Sequence, residues 1–246
     1  MTINHIGFIM DGNRRYSKKN NISIENAYKK GMLQFIDFVK FQVKYDVFET
    51  SFFALSNDNY EKRPDAEKKV IASLIKFFSD DESIWNYFLE NNIHVELKGN
   101  IKEMEKKSKT LSKEKSFFIS KLKKKAQENN SKIKEIKFRT NIALNYGGQE
   151  EILFAFKNIL EKIDSKKINV DDITIQTIKE NIYFSSSKPV QVIVRPGDAP
   201  RLSGFMLWDS AYSELYLTKK LWPELDEGDF KEIILWYNNL KRNFGK

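Results

Sequence analysis

The chain has 246 residues, with 42 Lys and Arg against 34 Asp and Glu and no cysteine. That length suits a single domain with a sizeable apolar core. Disulfides, thiolate metal sites and cysteine catalysis are excluded, and a reducing cytoplasm is the expected setting. The charge of +8 favours anionic partners, among them diphosphates, acidic lipid surfaces and nucleic acid.

No Pro/Gly/Ser-rich linker, internal repeat or apolar run of membrane-spanning length divides the chain, and the N-terminus does not read as a secretory signal. The first element is a buried strand, His5 to Met10, followed by Asp11-Gly12-Asn13-Arg14-Arg15-Tyr16. Asp-Gly-Asn is turn chemistry that can cap a following helix. It sets a carboxylate at a strand end beside free backbone N–H groups and two arginines, where a metal-bound diphosphate would be welcome. The whole string from His5 to Tyr16 closely resembles the opening signature of the cis-prenyltransferases, the undecaprenyl diphosphate synthase family.

Helical spacing of Ile24, Tyr28, Met32, Phe35, Ile36, Val39 and Val43 predicts an amphipathic helix over Ile24 to Lys44, and Val47 to Leu55 reads as a buried strand. The polar stretch Ser56-Asn57-Asp58-Asn59-Tyr60 follows, then Glu61-Lys62-Arg63-Pro64. This resembles the family's Ser-x-Glu-Asn-Trp-x-Arg-Pro motif. Asp58 stands for glutamate, Tyr60 for tryptophan, and one extra residue leaves Lys62 and Arg63 competing for the arginine's place.

One long amphipathic helix is expected from Asp65 to Asn91, a strand from Ile93 to Lys98, and a lysine-laden helix from Ile101 to Asn129. The basic face of the last is read first as a solvated surface and second as a contact with an acidic membrane surface. Ile136 to Leu144 reads as a strand ending in Asn145-Tyr146-Gly147-Gly148, with helices over Glu150 to Lys162 and Asp171 to Tyr183. Strands alternating with helices make the fold class α/β with a mainly parallel sheet flanked by helices.

Strand Pro189 to Val194 delivers Arg195-Pro196-Gly197-Asp198-Ala199-Pro200-Arg201-Leu202-Ser203. Two arginines and a serine around a glycine loop read either as a diphosphate clamp, because planar guanidinium forks match phosphate oxygens, or as ordinary surface arginines. An edge strand or interface segment over Ala211 to Leu217, a turn at Trp222 to Asp226 and a closing helix over Asp229 to Lys241 complete the chain. The region resembles the family's Arg-x-Gly-Gly-Glu-x-Arg-x-Ser-Asn-Phe-x-x-Trp motif, with Tyr212 and Glu214 matching the later Tyr-x-Glu.

The resemblance implies a single domain with a hydrophobic tunnel. It implies condensation of isopentenyl diphosphate onto an allylic diphosphate such as farnesyl diphosphate, giving a long cis-polyprenyl diphosphate of the undecaprenyl kind, a lipid-carrier precursor for cell-wall synthesis. By the same resemblance Gly12, Asn13, Arg14, Arg15 and Tyr16 would hold the allylic diphosphate, and Arg195, Arg201, Leu202 and Ser203 isopentenyl diphosphate. Tyr28, Ser56, Asn57, Asp58, Tyr60 and Arg63 would shape the pocket, Asn59 would position the reacting groups, and Asp11 with Glu214 would bind Mg²⁺. A homodimer is implied, with Glu214 acting near the subunit boundary, in a cytoplasmic protein with possible contact at the inner face of the membrane. Arg14 where glycine is common, Tyr28 for histidine, Ile24 for arginine, Ala199 for glutamate and Gly204 for asparagine depart from the bacterial pattern. The rival readings are a synthase of shorter or rearranged products, a silent partner subunit, against which the retained Asp11 argues, and last a nucleic-acid binder, for which no module is present.

Overall fold

The computed structural model describes residues 3–57, 62–104 and 113–241. Six strands, β1 (His5–Ile9), β2 (Glu49–Ser56), β3 (Ile93–Lys98), β4 (Phe138–Tyr146), β5 (Val192–Pro196) and β6 (Glu214–Thr218), form one sheet in the order β3-β4-β2-β1-β5-β6. Every pairing is parallel, as the alternation of elements predicted. The chain moves outward from β1 on one side and returns beside it with β5 on the other. The β1/β5 crevice is therefore the switch point where open parallel sheets place their ligands.

Strands buried on both faces need apolar residues at consecutive positions, and neighbouring side chains then divide between two cores. Phe8, Phe52 and Val194 join the larger core, while Ile9, Phe53 and Ile193 join the smaller one. The larger core is covered by α2 (Ile24–Lys44), α3 (Asp65–Asp80), α4 (Glu82–Glu90), α5 (Lys113–Lys132) and α8 (Glu227–Asn239). On the other face lie α6 (Gly148–Asp164), α7 (Ile175–Lys179) and the segment carrying Phe205 and Met206. The short α1 (Asn13–Lys19) follows β1.

Three expectations are corrected. The segment Asp65 to Asn91 is two helices, because Asp81 leaves helical geometry and its side chain accepts the Ser83 N–H at 3.0 Å, capping α4. Trp85 Nε1 then donates across the break to the Phe78 carbonyl at 2.9 Å. Asp171 to Tyr183 gives a 3₁₀ turn, Val170–Asp172, and only the short α7, which starts where Thr174 accepts from the Thr177 N–H at 3.2 Å. The strand expected over Pro189 to Val194 runs instead from Val192 through Pro196, since Arg195 and Pro196 stay in register with Leu217 and Thr218 of β6. Of the lysine-laden helix predicted from Ile101, residues 105–112 lie outside the described residues.

Candidate active site

β1 ends in a turn that only glycine makes without strain. Gly12 sits at φ 111° as the N-cap of α1, and a Cβ there would lie 2.9 Å from Leu221. The Asp11 side chain is thereby released from the capping task expected of it and is taken by two arginines. Oδ2 accepts from Arg195 Nη2 at 2.9 Å, and Oδ1 lies 3.3 Å from Arg15 Nη2. Arg195 Nη1 also donates to Ser203 Oγ and to the Arg201 carbonyl, both at 2.6 Å. Arg15 Nη1 donates to the Gly197 carbonyl at 2.5 Å. Gly197 has φ 88°, and a Cβ on it would fall 2.1 Å from Arg15 Nη2, so the loop after β5 can lie under Arg15 only without a side chain.

These groups surround a cavity of about 460 Å³ lined by Asp11, Gly12, Asn13, Arg14, Arg15, Tyr28, Ser56, Lys62, Arg63, Arg195, Arg201 and Ser203, among others. Asp11 is the one carboxylate among its described lining residues. Burial, with Arg201 and Arg15 nearby, pulls the Arg195 guanidinium below its ordinary value while Asp11 works the other way. Among the described residues six buried side-chain polar atoms lack a partner. Three of them, Asn13 Oδ1, Arg63 Nε and Arg195 Nε, belong to these walls. Native structures leave few such orphans, and their concentration here marks a surface made for a polar ligand.

Met10, Asn13, Tyr28, Leu55 and Arg63 also line a second cavity of about 160 Å³, which is apolar beyond them: Met32 and Phe35 of α2, Ile71, Leu74, Ile75 and Phe78 of α3, Leu122 of α5, and Trp222. Polar head site and greasy channel thus share a wall. Phe78 is buried and faces the channel, while Phe77 is 42% exposed.

Sequence reasoning placed most of these residues, and the exceptions are specific. Tyr16, Asn57 and Leu202 do not line the cavity. Tyr16 lies on α1, Asn57 donates to Glu150, and Leu202 packs against the smaller core. Asp58, Asn59 and Tyr60 lie outside the described residues. Of the two candidates for the loop arginine, Arg63 is the inner one, its side chain 17% exposed, whereas Lys62 is exposed. Within one chain Glu214 stands apart from Asp11. It stands opposite Val192, which pairs with Ile6, so it lies near the other end of the sheet, on the order of 15 Å from Asp11 along the strands. It lines a separate groove with Gln191, Tyr212 and Tyr237.

Two partnerships escaped sequence reasoning. Glu67 meets Arg14, Tyr28 and Arg63. Glu151, on α6, accepts from Tyr146 Oη at 2.5 Å and from the Phe184 N–H at 3.1 Å. Tyr146 Oη in turn accepts from the Met206 N–H at 3.1 Å, anchoring the segment just after Ser203. The i,i+4 spacing of Arg63 and Glu67 was the one local signal for either.

An arginine-rich head site at a switch point, sharing a wall with an apolar cavity, suits an anion carrying a hydrocarbon tail. Residues 9–245 match the family profile described as "Putative undecaprenyl diphosphate synthase". An isoprenyl transferase of Streptococcus pneumoniae is 36% identical, covering 98% of this chain and 91% of its own. A geranylgeranyl-diphosphate-specific tritrans,polycis-undecaprenyl-diphosphate synthase of Picrophilus torridus is 31% identical, covering 98% and 89%. Among solved structures, a probable undecaprenyl diphosphate synthase from Campylobacter jejuni superposes with TM-score 0.75 at 26% identity over the full length of both chains. Lavandulyl diphosphate synthase from Lavandula x intermedia, crystallised with dimethylallyl diphosphate, shares the fold at TM-score 0.85 and 22% identity, covering 100% of this chain and 99% of its own. The chain belongs to the undecaprenyl diphosphate synthase family of cis-prenyltransferases, and its activity is prenyl transfer with cis chain elongation.

Proposed function

We propose that the protein condenses isopentenyl diphosphate onto a farnesyl-type allylic diphosphate and releases diphosphate, building a polyprenyl chain of undecaprenyl type. The observation that supports this reading is the adjacency of the two cavities: an arginine-lined space large enough for diphosphate groups shares Met10, Asn13, Tyr28, Leu55 and Arg63 as lining with an apolar one suited to a hydrocarbon tail. Arg15, with first-turn N–H groups of α1 that have no intrahelical acceptor, holds the allylic diphosphate; Arg195, Arg201 and Ser203 hold isopentenyl diphosphate. Ranged around the cavity, these cations stabilise the charge that develops on the departing diphosphate. The apolar walls of the channel keep water from the electron-poor carbon.

Magnesium fits this site. The ion is commonly held by one or two carboxylates and completed by water and phosphate oxygens, and Asp11 offers a carboxylate 31% exposed within the cavity. Bound there, Mg²⁺ would neutralise charge on the leaving diphosphate. Glu214 joins such a site only from a second copy of the chain, which makes the homodimer part of the proposal. The proposed setting is cytoplasmic, with the basic helix α5 touching the membrane surface; among the described residues no helix is long and apolar enough to cross it.

A shorter product is the second reading, and the channel favours it. A cavity of roughly 150 Å³ accommodates benzene, so 160 Å³ receives about one isoprene unit before α3 must shift away from α2. Incubating pure protein with Mg²⁺, isopentenyl diphosphate and in turn dimethylallyl, farnesyl and geranylgeranyl diphosphate, then reading product mass, decides primer and length together. Unimpaired turnover in folded Asp11→Ala and Arg201→Ala dimers would defeat the site assignment.

A further inference from the structure

Two of the departures from the family pattern, Arg14 and Tyr28, meet the loop arginine Arg63 at one atom. Glu67 Oε2 accepts from Arg14 Nη2 at 2.7 Å and Nε at 3.1 Å, from Arg63 Nη1 at 3.1 Å and from Tyr28 Oη at 3.3 Å, and Arg63 also donates to Tyr28 Oη. The three donor residues come from α1, α2 and the loop before α3, and all of them line the head-group cavity, whereas Glu67 does not. An ordinary helical i,i+4 ion pair accounts for the Arg63 contact alone. It does not explain why Arg14 reaches over from another element to the same oxygen.

Charge explains it. The Arg63 guanidinium is drawn below its ordinary value by burial and by its neighbour Arg14, and the Glu67 carboxylate opposes both effects. A phosphate group offers the same two guanidinium forks the same kind of oxygen, with more charge. The Arg14 side chain is 53% exposed and has freedom to turn toward the cavity, while Glu67 is 15% exposed and fixed on α3.

We propose that Glu67 is a built-in counter-anion that competes with the substrate diphosphate for Arg14 and Arg63, so that it sets diphosphate affinity and links it to the seating of α3. The proposal rests on the reading that the cavity takes a diphosphate. Glu67 lies in the first turn of the helix that carries Ile71, Leu74, Ile75 and Phe78 into the apolar channel. When phosphate takes over the arginines, the N-terminal end of that helix loses its tether, and the channel wall can move as the tail enters.

The test is calorimetric titration with inorganic diphosphate of the parent, Glu67→Gln, Arg14→Ala and the double variant, each verified as folded by circular dichroism. Glu67→Gln should bind about tenfold more tightly, equivalent to about 1.4 kcal/mol. The gain should shrink in the Arg14→Ala background, because one of the contested partners is gone. Glu67→Asp, which draws the carboxylate back while keeping its charge, should tighten binding by less and serves if Glu67→Gln does not fold. Unaltered or weaker binding in Glu67→Gln overturns the proposal, since a residue that merely props up the arginines would weaken binding when removed. A parent that binds no diphosphate overturns the underlying reading of the cavity instead.

Discussion

Burial pushes the Glu151 carboxyl up to about 7, and Asp209 adds to the rise. Hydrogen bonds from Tyr146 and the Phe184 N–H, with the charge of Lys179, hold it back. Between its ordinary 4.5 and about 7 the folded chain keeps a proton that the unfolded chain has released, so stability is highest below that interval and falls as pH rises through it. At 1.36 kcal/mol per pH unit, the loss across the interval is roughly 3 kcal/mol, a large share of a typical domain's margin. Urea denaturation from about pH 5 to about pH 8 measures it, with Glu151→Gln as the perturbation. The variant should lose most of the slope and exceed the parent in stability above neutrality. Asp209, also raised by burial and bound to Lys179 at 2.7 Å, contributes a slope of the same sign that sets in above its ordinary 3.8. His5 works the other way. Burial holds it neutral, which costs stability as pH falls below 6.5. Parent and variant curves that run parallel through the neutral range would refute the assignment to Glu151.

Three further outcomes are expected. Arg195→Met keeps apolar bulk but leaves Asp11 and Ser203 without their shared donor, and binding of inorganic diphosphate should weaken by roughly a hundredfold in calorimetry; unchanged affinity would remove Arg195 from the clamp. Gly197→Ala forces a side chain into left-handed backbone and against Arg15, so the melting temperature should fall by the equivalent of about 1–2 kcal/mol and KM for the allylic diphosphate should rise. Phe78→Ala removes a ring packed on Phe35 at 5.6 Å and Trp85 at 5.4 Å, costing about 3–4 kcal/mol, and should lengthen the product as read by mass. Phe77→Ala, on the outer side of the same helix, should leave product length alone.

Much of the site was legible because it is assembled at strand ends. Asp11 and Arg195 each follow a short apolar run, and a parallel sheet gathers the ends of its strands along one rim. Glu214 was legible as a motif residue but not as a location. Its strand begins where β5 begins, so parallel pairing carries it to the far rim. The break at Asp81 was hidden because its cap depends on backbone geometry, and the apolar period runs on across it.

The amino-acid sequence by itself determined the class of fold, the two arginine-bearing turns and the apolar helices beside them, since strand alternation, helical period and turn chemistry are properties of neighbouring residues. Only the tertiary structure decided that Phe78 rather than Phe77 faces the channel, that Glu67 gathers Arg14, Tyr28 and Arg63, and that Glu151 secures the segment behind Ser203 through Tyr146. Those are meetings between side chains far apart along the polypeptide, and the packing of helices on the sheet fixes them.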